Sequence, residues 1–264
     1  HRDLHSFPTR RSSDLAISMI NNSNPVISVK NLIAKYGEQL VLDDISVDIY
    51  PGEITVILGG SGCGKTTLLK NILRLYEPYS GSVKFWGQEI LHMEENEFAE
   101  VLKQIGMLFQ NGALLNSISV YENVSIPMEL HTKLSPMLIE RIIRVKLHLV
   151  GLSHATFKYP SELSGGMKKR AALARALALD PKLLFCDEPS AGLDPLTSAA
   201  LDELILDLKH QLKMTIVIVT HELASIHRIA DKIIFLDSGK MLFNGSLKDA
   251  FSSGIPQIDS FFKV

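Results

Sequence analysis

The stretch Val56-Ile57-Leu58-Gly59-Gly60-Ser61-Gly62-Cys63-Gly64-Lys65-Thr66-Thr67 decides how the rest of the chain is read. An apolar run beginning at Ile54 enters a glycine-rich turn. A helix leaves it with Leu68, Leu69, Ile72 and Leu73 on one face. Gly59, Gly64, Lys65 and Thr66 fit G-x-x-x-x-G-K-[ST], the Walker A pattern of a phosphate-binding loop. Each residue type has a chemical reason. Glycines keep side chains away from the backbone N–H groups, so the loop through Ser61, Gly62 and Cys63 can wrap closely round phosphates. The following helix points its N-terminus, with its partial positive charge, at the same anion. Lys65 is expected to reach the β and γ phosphates. The Thr66 hydroxyl is expected to ligate Mg²⁺, with Thr67 beside it in the same turn.

The whole composition is compatible with that start. A chain of 264 residues, 46% hydrophobic, fits one large domain or a domain with an inserted subdomain. The net charge of −2 offers no basic stripe for nucleic acid, which is not expected as a partner. The two cysteines, Cys63 and Cys186, fall in the glycine loop and in a buried strand. They suggest no disulfide framework and point to a reducing compartment. Apolar runs are strand-length, short of the ~20 residues that span a bilayer. A protein of this kind working at a membrane needs a partner to supply the spanning helices.

Residues 5–15, His-Ser-Phe-Pro-Thr-Arg-Arg-Ser-Ser-Asp-Leu, resemble the translation of a DNA sequencing adapter. Residues 1–15 are therefore kept out of the fold reading, with Met19 as the expected native start. Residues 1–25 are read as a non-native or disordered leader, and 26–250 as the folded domain.

From residue 26 onward, Ile27 and Val29, then Ile45, Val47 and Ile49, alternate with polar residues as half-buried strands do. Residues 83–86 read as a short strand, 94–104 as a surface helix and 105–110 as a buried strand. From 111 to about 164 the period turns helical, with Leu138, Ile142, Val145 and Leu149 in step, so an inserted helical subdomain is expected. Residues 183–186 and 215–219 are continuous apolar runs of the kind found in parallel sheets. Helices are expected over 195–212 and 222–230, then a hairpin through Asp237-Ser238-Gly239, a short helix over 246–251 and a short tail over 251–264.

Two further stretches carry chemistry. Leu183-Leu184-Phe185-Cys186-Asp187-Glu188 is a hydrophobic strand ending in two acids, the Walker B pattern. Asp187 is the expected Mg²⁺ ligand. Glu188 is the expected general base that polarises an attacking water. Leu163-Ser164-Gly165-Gly166-Met167 opens a helix continuing to Arg175. Ser164 is a natural N-cap, and the two glycines leave the helix N-terminus bare, which makes a second anion site.

Together these residues resemble the ATP-binding-cassette (ABC) ATPases, whose signature motif is Leu-Ser-Gly-Gly-Gln. The resemblance covers residues 26–250 and includes the family's motifs in order. It implies an α/β fold: a P-loop NTPase (RecA-like) core, an N-terminal antiparallel β subdomain and an inserted α-helical subdomain. It implies ATP hydrolysis with Mg²⁺. Tyr36 matches the aromatic that stacks on adenine, and Gln110 the Q-loop glutamine that senses Mg²⁺ and the attacking water. Asp194 matches the D-loop and His221 the switch histidine. A head-to-tail homodimer is implied, with ATP held between the Walker A loop of one copy and Ser164-Gly165-Gly166 of the other.

Met167 departs from the signature glutamine and cannot make an amide's hydrogen bonds. With Arg170-Ala171-Ala172-Leu173-Ala174-Arg175-Ala176 after it, the segment also looks like the Mla-type subfamily, whose members drive phospholipid movement between bacterial membranes. That resemblance implies a peripheral place on the cytoplasmic side of the inner membrane and a transmembrane permease. It also implies a periplasmic lipid-binding protein and a small regulatory cytoplasmic subunit. The chain ends at Val264 where the Mla-type tail continues, which leaves the regulatory contact open. Leu114, Leu115 and Ile126 suit core packing or permease docking equally. A transporter subunit for another solute, a soluble non-transport ATPase and a nucleotide-binding module without turnover are the alternative readings.

Overall fold

The computed structural model describes residues 24–263. The adapter-like segment and the expected start at Met19 lie outside the described residues. The chain begins with β1 (Ile27–Tyr36) and β2 (Gln39–Ile49), then runs through β3 (Ile54–Gly59) into α1 (Lys65–Ile72). β4 (Ser80–Phe85), β5 (Gln88–Glu89), α2 (Glu95–Leu102) and β6 (Ile105–Leu108) follow. Next come the helices α3 (Val120–His131), α4 (Pro136–Leu149) and α5 (Gly165–Ala176). The chain then alternates β7 (Leu183–Asp187), α6 (Pro195–Leu212), β8 (Thr215–Val219) and α7 (Leu223–Ile229). It closes with β9 (Lys232–Asp237), β10 (Lys240–Ser246), α8 (Leu247–Phe251) and α9 (Pro256–Phe262).

Two sheets result. One is antiparallel in the order β2-β1-β4-β5, the expected N-terminal β subdomain. The other is six-stranded in the order β10-β9-β3-β8-β7-β6, parallel except for β10. Its central strands β3 and β8 are buried along their whole length. Covering both faces of a strand removes the need for polar alternation, so these runs are continuously apolar. β1 shows the opposite pattern. Ile27 and Val29 are buried, Lys30 and Asn31 are exposed, and then Leu32 and Ala34 are buried again. Asn31 adopts a left-handed φ of 48°, and the register slips there against both neighbours. This bulge hides the second half of the strand from a simple alternation count.

The helical subdomain starts where Ser119 caps α3. The Ser119 hydroxyl accepts from the Glu122 N–H, and the Glu122 carboxylate accepts from the Ser119 N–H at 2.7 Å. Both orphan donors are thereby satisfied. Val124, Met128, Ile143 and Leu147 bury against Ala171 and Leu173 of α5, in one apolar cluster continuous with Leu184 and Ile216 of the parallel sheet. The subdomain is welded to the sheet through α5.

Three expectations need correction. The strand read over 105–110 stops at Leu108, because Phe109 and Gln110 turn outward and the Gly112 N–H closes back on the Phe109 carbonyl at 2.8 Å. Trp86 is excluded from β4 by a left-handed φ of 48° in the turn with Gly87. The segment after 251 forms a helix, α9, that buries Ile258 and packs Phe261 and Phe262 on the core.

Candidate active site

The parallel strands bring separate stretches of sequence to one edge. Register pairs Ile57 of β3 and Asp187 of β7 with the same residue of β8, Val219. The segments that leave these strands at their carboxyl ends therefore emerge side by side, where ligands bind in open α/β sheets. They enclose a cavity of about 550 Å³, lined by Gly59, Gly60, Ser61, Gly62, Lys65, Thr66, Gln110, Asp187, Glu188, His221, Leu223 and Phe261.

The loop geometry follows from its glycines. Gly59 sits at φ 146°, and a Cβ there would lie 2.0 Å from the Leu236 carbonyl oxygen of the neighbouring strand. Gly64, the residue before α1, has φ 106°. A side chain at Gly59 would displace backbone, and one at Gly64 would be strained by its φ and crowd the Leu42 side chain at 2.6 Å. The Lys65 ammonium folds back over the loop and donates to the carbonyls of Gly59 and Gly60, each at 2.9 Å.

Opposite the loop stand the two acids. Glu188 adopts a left-handed φ of 47°, uncommon for a side-chain-bearing residue, and its N–H donates to the Val219 carbonyl at 2.8 Å. Its Oε1 lies 2.8 Å from Nδ1 of His221, while Oε2 is buried without a protein partner. Burial pushes the Asp187 carboxyl above its ordinary value. The Glu188 charge adds to this, and Lys70, Lys169 and Lys65 partly offset it.

Several expected residues do not line this cavity. Tyr36 ends β1, 47% exposed, with its ring edge-on to Tyr76 at 5.8 Å. Cys63 and Gly64 are buried beneath the loop, and Thr67 lies half-buried in the first turn of α1. Ser164, Gly165, Gly166 and Asp194 form a second cluster at the start of α5 and α6. Ser164 caps α5 by accepting from the Met167 N–H at 3.3 Å. Asp194 caps α6 by accepting from the N–H groups of Leu196 and Thr197, and the Thr197 hydroxyl holds its carboxyl below the ordinary range. A Cβ on Gly166 would come within 2.4 Å of the Thr197 methyl, so glycine lets the two helix starts pack together. Ser164, Gly165 and Asp194 are exposed, which leaves the α5 N-terminus facing outward. Met167 is half-buried against the core, where an apolar side chain suits its surroundings.

The sequence reading missed Phe261, Leu223 and Lys169. Phe261 and Leu223 reach the cavity through the docking of α9 and α7, which has no local signature. Lys169 sits in a run of three basic residues, Lys168 to Arg170, that reads as a solvated face. Only the fold turns its ammonium inward, where it is 6% exposed.

A phosphate loop, paired acids and a histidine around one cavity define a P-loop nucleotide hydrolase. Separately from this cavity, Ser164 caps an exposed glycine helix start. The chain belongs to the ABC transporter family, whose pattern matches residues 42–191. It is 42% identical over 238 residues to the intermembrane phospholipid transport system ATP-binding protein MlaF of Haemophilus influenzae, covering 90% of each chain. It is 40% identical over 235 residues to the probable ribonucleotide transport ATP-binding protein mkl of Mycobacterium leprae, covering 89% of this chain and 68% of that one. Its fold matches the dimeric post-hydrolysis state of the ATP-binding cassette MJ0796 bound to ADP and Pi. That match has a TM-score of 0.76 and 28% identity, over 84% of this chain and 98% of the other. The chain is an ATP-binding, ATP-hydrolysing subunit of the ABC transporter class.

Proposed function

We propose that this subunit powers movement of phospholipid between the inner and outer bacterial membranes through a separate permease. The observation that carries the cargo is the similarity to MlaF, which spans nine-tenths of both chains. Among the described residues no helix is long and apolar enough to cross a membrane, so a permease would supply the spanning part. The subunit would sit peripherally on the cytoplasmic face. A periplasmic lipid-binding protein and a small regulatory subunit belong to the same reading.

In this mechanism Lys65 leaves the Gly59 and Gly60 carbonyls to meet the β and γ phosphates, and the loop N–H groups take the rest of the negative charge. Glu188 accepts the proton of the attacking water, with His221 holding its Oε1. The Thr66 hydroxyl, Gln110 amide and Asp187 carboxylate are hard oxygen donors with a single carboxylate among them. That set suits Mg²⁺, which is held by few protein oxygens plus substrate phosphates. Bound there, Mg²⁺ supplies charge neutralisation at the phosphates. The raised Asp187 carboxyl and the unpartnered Glu188 Oε2 support a cationic, hydrated neighbour. Tyr36 would carry the adenine ring, and Ser164, Gly165 and Gly166 of a second copy would close over the γ-phosphate. Asp194 would meet the same interface.

The groove between α2, β6 and α3 suits the permease. It holds about 400 Å³ and is lined by Leu102, Met107, Phe109, Ile126 and Pro127 with Arg175 at its floor. Leu114 packs on the core, while the exposed Leu115 and the groove-lining Ile126 stay available for docking. Transport of another solute is the second reading, favoured by the similarity to mkl. Affinity purification from detergent-solubilised membranes, with bound proteins and lipids read by mass spectrometry, decides. A polytopic permease with a lipid-binding partner and phospholipid supports the proposal. A permease with a different solute receptor replaces the cargo.

A further inference from the structure

The signature helix reaches the hydrolytic site of its own chain through one buried side chain. The Lys169 ammonium, on the second turn of α5, donates to the backbone carbonyl of Gln110 and, at 3.1 Å, to that of Glu188. These two carbonyls belong to loops far apart in sequence, one following β6 and one following β7. Each lies on the residue expected to handle the attacking water. The ammonium also faces the Asp187, Glu188 and Glu222 carboxylates and the Cys186 thiol. Burying a lysine is costly unless its donors are matched; two of its three N–H groups meet these carbonyls, and burial, partly offset by the nearby acids, holds the ammonium below its ordinary value.

The contact bears on a strained residue. Glu188 holds a left-handed conformation that a side-chain-bearing residue adopts only when its surroundings enforce it. Its N–H is held by Val219 from one side, and its carbonyl by Lys169 from the other. Further along α5, Arg175 donates to the carbonyls of Gly112 and Ala113 at 2.8 and 2.7 Å. Arg175 also lines the apolar groove beneath α3. Among the described residues, Lys169 is the one side chain whose hydrogen bonds join the Gln110 loop to the Glu188 loop.

We propose that Lys169 is a positioning residue for ATP hydrolysis, whose ammonium locks the backbones of Gln110 and Glu188 to α5 and so aims both side chains at the attacking water. Motion of α5, whether driven by the permease groove or by the facing copy, is then transmitted to both side chains at once. The proposal rests on Glu188 acting as the base.

The test compares Lys169→Met, Lys169→Gln and Lys169→Arg in the full-length protein. Three quantities are read: kcat, binding of a fluorescent ATP analogue, and the hydrogen exchange of peptides covering Gln110 and Glu188. The Met variant is expected to lose at least about tenfold in kcat with analogue affinity within about threefold, the signature of lost orientation with binding retained. Exchange should rise in both loops. Arginine, which keeps the charge and the donors, should recover most of the rate, and Gln, which keeps donors alone, should fall between. A Met variant within twofold of the parent, or an Arg variant as impaired as Met, overturns the proposal. If Met does not fold, the Gln–Arg comparison decides on the same criteria. Exchange is also measured in a Glu188→Gln background. Loosening there, beside unimpaired turnover by Glu188→Gln, would locate the failure in the base assignment and leave the Lys169 contact intact.

Discussion

Asp187 and Glu188 are adjacent acids at a strand end, and burial together with the neighbouring charge is written into the Asp187 carboxyl. Its folded-state value lies above the ordinary one through burial and the Glu188 charge. The folded protein therefore binds this proton more tightly than the unfolded chain. Stability contributed at this site falls as pH rises between the unfolded and folded values, and the penalty is fully present above the folded-state value. Asp187→Asn should accordingly raise the melting temperature of the nucleotide-free protein at pH 7 while abolishing hydrolysis. The gain should shrink as pH falls through the raised folded-state value and vanish below about 4, where the parent becomes protonated in both states. Equal melting temperatures at pH 7 would contradict this. The cysteines give a second test. Cys63 is 5% exposed under the loop, and burial pushes the Cys186 thiol up to about 12. Burial shields both thiols and keeps Cys186 protonated, so neither should be alkylated in the folded protein at pH 7, and both should react once it is denatured. Rapid labelling of Cys63 with loss of ATPase would show that the loop opens.

Among the elements, α5 links most of the molecule's parts. Its N-terminus carries the exposed Ser164–Gly166 cluster, its middle holds Lys169 against the acids, and its end lines the apolar groove. Met167 belongs to this helix and packs on the core, so Met167→Gln should cost about 1 kcal/mol of stability through a poorly matched amide. Its kcat should stay within about threefold of the parent, by steady-state assay and thermal melt. A large gain in kcat would mean that the methionine weakens the signature after all. The elements were legible in proportion to how local their causes are. The loop at Gly59–Thr67, the acids after β7 and the cap at Ser164 each rest on residue types within one turn of chain. The left-handed Asn31 bulges β1 and the left-handed Trp86 ends β4, neither of which the side-chain pattern marks. Lys169 and Phe261 owe their places to packing between elements distant in sequence, and a lysine in a basic run carries no mark of the direction its ammonium will take.

At the scale of the whole molecule, the residues expected in the site fall into two groups facing different ways. The cavity holds the phosphate loop, acids and histidine, while the α5 N-terminus points outward. Two copies arranged head to tail would complete each other, and every site would then draw on both chains. Lys65→Ala and Gly165→Glu should each be inactive alone. An equal mixture should recover up to roughly a quarter of parental activity, since half the dimers are mixed and each holds one intact site. A mixture no more active than its parts would contradict the shared site.

The most direct measurement is sedimentation of Glu188→Gln with and without ATP and Mg²⁺. Removing the base should slow turnover by about a hundredfold or more while leaving nucleotide binding intact. The account predicts a monomer without nucleotide and a stable dimer, retaining two unhydrolysed ATP, when nucleotide is present. A variant that stays monomeric with ATP bound, or that hydrolyses it at the parental rate, would contradict the account.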